Sequence, residues 1–342
     1  MKIDDFHNIF AKERGYMEKL ISVIMSAYNE REIEFESSIN SILNQNYENI
    51  ELIIVNDNPQ NEKLGHYLNN ISDKRVKLIK NDSNIGLVNS LNKALSICNG
   101  EYIARMDADD ISYKNRFQEQ IVFLETGKYD LIGSSIELID ENNCHIKNKW
   151  SPTDPIELAN KLKRQNILPH PTWFGKKELF VNLNGYRNVP RCEDYDFLLR
   201  ALKKNCRIGC TNSILLKYRI RSDSVTQSGY SEQYVLTKYL QNAFIQNKMD
   251  LKSIENYINS DKYANEVCEY KKFRNAKENI KTKHSLQKKS LITHIEMQRI
   301  KVSISKTLKN CHIFHYVQTV ICIQEVQRFF IIMMQKQTMP CM

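Results

Sequence analysis

Three aspartates in four positions, Asp107, Asp109 and Asp110, close the run Glu-Tyr-Ile-Ala-Arg-Met-Asp-Ala-Asp-Asp that ends at residue 110. Carboxylates at i and i+2 can both reach one hard divalent cation, and a cation held by one or two protein carboxylates keeps sites open for water or phosphate oxygens. That chemistry suits binding of a nucleotide diphosphate through a metal. A second reading is that Asp110 or Ser112 N-caps the helix-like pattern from Tyr113 to Glu125. An EF-hand is a poor match: counting from Asp107, the sixth residue is Ser112 instead of Gly and the twelfth is Gln118 instead of Glu. Glu193 and Asp194 head another apolar-patterned segment (Phe197, Leu198, Ala201, Leu202), where acids are favourable at a helix N-terminus.

Such side chains need a scaffold that delivers them to one edge. From Leu20 the chain runs Leu-Ile-Ser-Val-Ile-Met-Ser-Ala-Tyr-Asn-Glu, a nearly continuous apolar strand of the kind buried on both faces of a parallel sheet. Tyr28, Asn29 and Glu30 stand at its exit, where open α/β sheets bind ligands. A helix patterned by Ile39, Ile42 and Leu43 leads to a strand over 50–55 that ends in Asn56, Asp57 and Asn58. The alternation continues with a strand over 74–79, a helix over 83–98 and a strand over 101–106. Strands alternating with helices imply right-handed crossovers and a mainly parallel sheet, so the loops after the strands open on one edge. Neither GxGxxG nor GxxxxGK[ST] occurs, which disfavours a dinucleotide site and a P-loop.

At 342 residues the chain can form one large α/β domain with an appendage, or two domains. Nine cysteines without a CxxC pair, and an N-terminus without a signal-peptide pattern, point to reduced cytosolic thiols. Cys206 and Cys210 lack a second Cys/His pair at zinc spacing. The net charge of +9 is concentrated: residues 271–310 carry 12 Lys/Arg against two Glu, which leaves the remainder near neutral. No apolar run reaches the ~20 residues that span a bilayer.

Together the segments Val-Ile-Met-Ser-Ala-Tyr-Asn-Glu, Ile-Ile-Val-Asn-Asp, Asn84-Ile-Gly-Leu with Ser90-Leu-Asn-Lys-Ala-Leu, and Gly100-Glu-Tyr-Ile-Ala-Arg-Met-Asp-Ala-Asp-Asp-Ile resemble the GT-A glycosyltransferases of family 2. Bacterial enzymes that build capsule, O-antigen or lipooligosaccharide chains are the nearest likeness. The match continues through His170-Pro-Thr, Gly185-Tyr186, Glu193-Asp194-Tyr195-Asp196 and Tyr218-Arg219, and so covers about residues 20–225.

The resemblance implies an α/β GT-A fold, with a mainly parallel sheet flanked by helices and a C-terminal helical extension. Ala27, Tyr28, Glu30, Asp57, Asn84 and Asp107 would bind the UDP part of the donor; a carboxylate such as Asp57 can accept the uracil imide hydrogen and the ribose hydroxyls. An Asx-turn at the strand end is the other reading of Asp57. Asn56 stands where an Asp is common, and Asn58-Pro59 where Gly-Ser is common. Asp107 and Asp109 would form the DxD pair that holds Mn²⁺ or Mg²⁺ across the two phosphates. Asp194 aligns with the general base of inverting members, taking the proton of the acceptor hydroxyl as its oxygen attacks the anomeric carbon. His170, Trp173, Glu193 and Arg221 are candidates for positioning acceptor or donor; Trp173 reads equally as a sugar-stacking ring or as core. Arg221 occupies the position where family members often carry His, and its guanidinium suits contact with a diphosphate.

The expected organisation is a lead-in over 1–18, a catalytic domain over 19–227 and a basic helical region over 228–342. Helices are expected over 230–246 and, with an amphipathic pattern, over 313–334. Basic and amphipathic helices suit either adhesion to the anionic cytoplasmic face of an inner membrane or packing on the catalytic domain. The expected partners are a UDP-sugar and a glycan acceptor on a lipid carrier, and nucleic acid is not among them. The reading is an inverting, metal-dependent hexosyl or N-acetylhexosaminyl transferase, cytoplasmic or peripheral on that membrane face. Its rivals are a catalytically silent sugar-nucleotide scaffold and a sugar-1-phosphate nucleotidyltransferase, the latter disfavoured by the missing Gly-rich loop near the start.

Overall fold

A computed structural model describes residues 19–221 and 229–277 of the chain. Four parallel strands make the first half of the sheet: β1 (Ile21–Ala27), β2 (Ile50–Asn56), β3 (Val76–Lys80) and β4 (Tyr102–Arg105). β1 lies between β2 and β4, with β3 outside β2. Helices α1 (Glu32–Leu43), α2 (Glu62–Asn69) and α3 (Leu87–Ser96) cross between these strands. Each strand of β1 and β2 feeds two cores by alternation. Val23, Met25, Leu52 and Ile54 join one buried cluster, while Ile24, Ile53 and Val55 join the other. Burial on both faces is why the strands are continuously apolar, at roughly 1.5–3 kcal/mol for each large aliphatic side chain.

The third strand and its following helix differ from expectation in their bounds. β3 runs Val76–Lys80, and α3 begins at Leu87 because residues 81–86 are drawn into side-chain hydrogen bonds instead of helical ones. The segment after β4 also departs from the pattern. Ile111–Ser112 form a short strand, β5, so helix α4 starts at Arg116 and ends at Thr126.

Beyond α4 come β6 (Leu131–Ile139), β7 (His145–Lys149), α5 (Pro155–Leu162), a 3₁₀ turn over His170–Thr172, β8 (Phe174–Lys176), α6 (Lys177–Asn182), α7 (Glu193–Lys203) and β9 (Ile208–Arg219). Among the described residues the sheet order is β3-β2-β1-β4-β8-β6-β9-β5, with β7 paired to β6. β8 runs antiparallel to both β4 and β6, and β5 antiparallel to β9. Through β8 the segment around His170 lies beside the exit of β4: the Arg105 amide donates to the Trp173 carbonyl at 2.9 Å. Pairing of Ser112 with Leu216 and Ile111 with Lys217 brings the end of β9 to the aspartate loop.

Helix α7 is apolar on two sides. Phe197, Leu198 and Ala201 face the sheet, while Tyr195 and Leu199 meet Val235, Leu236 and Leu240 of α8 (Tyr230–Ile245) and Ile254 of α9 (Leu251–Ile258). One compact unit extends to Tyr270 and a second begins at Lys271, so the expected boundary at 227/228 falls inside the first unit. Helix α8 lies where the sequence places one. The lead-in over 1–18 and the amphipathic pattern over 313–334 lie outside the described residues. Among the described residues no helix is long and apolar enough to cross a membrane, and the six cysteines described are all unpaired thiols.

Candidate active site

The exit of β4 turns through Met106 and Ala108, both buried, and this anchors the backbone while the flanking aspartates project. Carboxylate oxygens of Asp107, Asp109 and Asp110 lie within 4.8 Å of one another. Asp110 is 1% exposed; its Oδ1 accepts the backbone N–H of Arg219 at 2.8 Å, and its Oδ2 is buried with no hydrogen-bond partner. A buried carboxylate oxygen without a partner is costly, and a cation beside it would satisfy it. Burial, then the charge of Asp107, raises Asp109 to about 7, and burial, then the charges of Asp109 and Asp107, raises Asp110 well above the ordinary range. The donor set is all oxygen, as Mg²⁺ or Mn²⁺ prefers. These residues therefore fit a divalent cation. The N-cap reading does not hold, because the residue preceding α4 is Asn115 and Ser112 belongs to β5.

Arginines surround this loop. Arg105, buried, pairs with Asp107. Arg219, also buried, donates from Nε to the Asp109 carbonyl at 2.8 Å and from Nη1 to the Asp140 carbonyl at 3.0 Å. Arg221 places Nη2 3.2 Å from Asp109 Oδ2 and Nη1 3.3 Å from Glu34 Oε2. Arg116, fully buried, donates to the Arg105 carbonyl at 2.8 Å and to Gln120 Oε1 at 3.0 Å; burial lowers it to about 9 against the opposing pull of Asp110. From α1, Ser38 Oγ donates to the Asp107 carbonyl at 2.9 Å.

At the exit of β1, Tyr28 is 46% exposed and Glu30 Oε2 accepts the Tyr28 amide at 2.8 Å. Burial raises Glu30, with Asp107 adding and Arg221 opposing. Ala27 is fully buried, and its carbonyl accepts the Asp57 amide at 2.9 Å. Asp57, 2% exposed, holds the loop before α3. Its Oδ1 accepts Asn81 Nδ2 at 2.8 Å and the Ile85 amide at 2.9 Å, and its Oδ2 accepts the Gly86 amide at 2.9 Å. Asn84 is exposed and accepts the same Gly86 amide at 2.9 Å through its side chain.

The second acidic pair opens α7. Asp194 Oδ1 accepts the Tyr195 amide and Oδ2 accepts Asn166 Nδ2, each at 2.6 Å. Burial raises both Asp194 and Glu193, and each is counteracted in part by Arg105. Glu193 is also raised by Asp107, so both acidic groups lie in the reach of one another's charge. Two turns of helix are fixed behind them by Asp196, which is fully buried between Arg187 and Arg200, with Arg200 Nε at 2.8 Å.

His170 and Trp173 are both buried, and of the two readings of Trp173 the packing fits core. Trp173 is 0% exposed, its Nε1 donates to the Leu168 carbonyl at 3.2 Å, and its ring packs on Phe197, so it is core. His170 is buried against Trp173 and bonds the Tyr186 hydroxyl at 2.9 Å; burial and Arg105 hold it well below the ordinary histidine range, and hence neutral. The sequence reading had no signal for Glu34, Ser38, Arg116 or Asn166 as site-building residues, and met Arg219 only within the Tyr218-Arg219 segment; Glu34, Ser38 and Asn166 meet partners 187, 69 and 28 positions away. A cleft of about 750 Å³ lined by Glu32, Pro59, Asn61, His66 and Lys80 contains neither acidic group.

Residues 22–182 match the family model described as glycosyl transferase family 2. The chain is 33% identical over 237 residues to the O-antigen biosynthesis glycosyltransferase WbnJ of Escherichia coli, a match covering 67% of this chain and 92% of WbnJ. It is 30% identical over 218 residues, 63% of this chain and 82% of the relative, to an E. coli protein named UDP-Glc:alpha-D-GlcNAc-diphosphoundecaprenol beta-1,3-glucosyltransferase WfaP. The crystal structure of S. aureus TarS 1-349 in complex with UDP-GlcNAc superposes with a TM-score of 0.54 at 18% identity, over 70% of this chain and 67% of TarS, which shows a common GT-A fold.

Proposed function

Starting from a chain that belongs to glycosyl transferase family 2, we propose an inverting transferase that moves a hexose or N-acetylhexosamine from a UDP-sugar to a growing surface glycan. The observation that carries this reading is the cluster of Asp107, Asp109 and Asp110 carboxylates at the exit of β4, with the buried Asp110 Oδ2 left without a hydrogen-bond partner. The UDP donor and a glycan acceptor on a lipid carrier are supported by the name of the WfaP relative, and a surface glycan by that of the WbnJ relative.

Asp107 and Asp109 would hold Mn²⁺ or Mg²⁺, with Asp110 beneath them. When bound, the ion neutralises charge on the departing diphosphate. Tyr28 offers an exposed ring to the base at the exit of β1, Glu30 lies beside it, and Asp57 shapes the Asn84–Gly86 loop that borders the nucleotide, with spare acceptor capacity on Oδ2. Arg221 faces the phosphates. In the transfer step the acceptor oxygen bonds to the anomeric carbon, the bond from that carbon to UDP breaks, and the acceptor proton passes to Asp194. Two hydrogen bonds aim the Asp194 carboxylate, one from Asn166 and one from the helix backbone. General-base help of this kind contributes ~10²- to 10⁴-fold. Glu193 sits beside the base and sets the local charge. The basic stretch over 271–310 would draw the enzyme to an anionic cytoplasmic membrane face.

Incubating the purified chain with Mn²⁺, a panel of UDP-sugars and lipid-linked acceptors, with mass-spectrometric detection, tests the reading. Asp109→Ala is expected to abolish metal-dependent transfer, and Asp194→Asn to keep UDP binding while losing at least ~10²-fold in turnover. Wild-type turnover in Asp194→Asn would remove the base assignment; UDP binding without transfer across the panel would favour a silent scaffold.

A further inference from the structure

We propose that Arg221 is the protein's own counter-cation for Asp109, parked there by Glu34, and that it competes with the divalent ion until the donor diphosphate draws it away. The inference rests on the functional reading above and concerns how the site handles its charge before the donor arrives.

Two arginines at the end of β9 approach the aspartate loop, and they are held differently. Arg219 is 1% exposed in its side chain and is fixed by hydrogen bonds of 2.8–3.0 Å to the carbonyls of Asp109 and Asp140, besides its backbone bond to Asp110. It builds the loop and cannot leave without unmaking it. Arg221 is 22% exposed, and its contacts to Asp109 and Glu34 are longer, at 3.2 and 3.3 Å. It bridges one carboxylate at the metal position and one away from it.

Glu34 makes this bridge asymmetric. It is 2% exposed on α1, receives Arg31 Nη2 at 2.6 Å and stands 3.5 Å from Arg219 Nε. Charge at a buried position is stable only when paired, so Glu34 remains an anchor for Arg221 whatever happens at Asp109. One guanidinium arm can therefore hold on while the other gives up Asp109. A dication and a guanidinium compete for the same carboxylate oxygen, whereas a diphosphate supplies new acceptors in the fork geometry that arginine prefers. The consequence is ordered loading: the ion binds weakly to the free protein and more tightly with nucleotide present.

Isothermal titration of the full chain with Mn²⁺ alone, and then with UDP at fixed Mn²⁺, decides the matter. Arg221→Gln is expected to bind Mn²⁺ alone about tenfold more tightly than wild type and UDP about tenfold more weakly, the factor carried by one partly screened charge contact. Arg221→Lys, which keeps the charge, is expected to resemble wild type for Mn²⁺. Glu34→Gln is expected to shift Mn²⁺ binding the opposite way, because Arg221 then loses its pull away from Asp109. General loss of structure would weaken both ligands in every variant, so the gain in Arg221→Gln is the decisive sign. Unchanged or weaker Mn²⁺ binding in Arg221→Gln overturns the inference while leaving the transferase reading intact. A wild-type chain that binds neither Mn²⁺ nor UDP overturns both.

Discussion

Asp194 and Glu193 experience opposed influences that make them responsive to pH. The start of α7 and two hydrogen bonds favour the ionised Asp194, yet burial outweighs them and raises it. Glu193 is pushed from its ordinary 4.5 to about 7 by burial first and by Asp194 second. For an acid raised on folding, the folded chain keeps a proton that the unfolded chain has lost between those two values. Stability from Glu193 is therefore present at the acidic end of the window and declines as pH rises from about 4.5 to about 7. In the proposed mechanism turnover runs the other way, since Asp194 must be ionised to accept a proton. The expected result is a thermal midpoint that falls between about pH 4.5 and about pH 7, and a kcat/KM that rises with pH as Asp194 ionises. Glu193→Gln should flatten the stability profile in this window, read by differential scanning calorimetry at several pH values; an unaltered profile would place the titration elsewhere.

At the scale of elements, the site depends on how loops leave the sheet. Gly86 adopts φ 83° and ψ 160° as the residue before α3, a region that side-chain-bearing residues rarely enter. Its amide donates to Asp57 and to the side chain of Asn84, so the conformation also fixes the loop against the end of β2. Space is not the constraint, because a Cβ there would meet nothing within 4 Å. Gly86→Ala is expected to cost about 1–3 kcal/mol of stability from backbone strain alone. Chemical denaturation measures the cost, and UDP affinity should fall with it if the loop borders the base. A variant as stable as wild type would mean the loop relaxes freely. The short strand β5 illustrates the complementary point. Two residues could not announce themselves by pattern, yet their pairing to β9 delivers Arg219 and Arg221 to the aspartates.

For the molecule as a whole, charge is divided: 12 Lys/Arg against two Glu lie within 271–310, and the other residues nearly balance. A polybasic stretch of this kind gains on the order of 1 kcal/mol per residue near an anionic surface and loses it to salt. The full chain is expected to sediment with phosphatidylglycerol vesicles at low ionic strength, to be released by about 0.5 M salt, and to ignore neutral phosphatidylcholine vesicles. Equal binding to both vesicle types would remove the electrostatic basis for membrane contact. Sequence alone determined the first four strands, their parallel character, the helices between them and the aspartate motif, because alternating burial and local turn chemistry are written in neighbouring residues. It could not decide that Trp173 and His170 are buried, that Asp57 is engaged by residues 81–86, or that Glu34 and Arg219 assemble the aspartate loop. Those outcomes depend on pairs separated by up to 187 positions, such as Glu34 with Arg221. Contacts of that kind exist only once the sheet has closed, and their energies come from burial and charge pairing that no local pattern encodes.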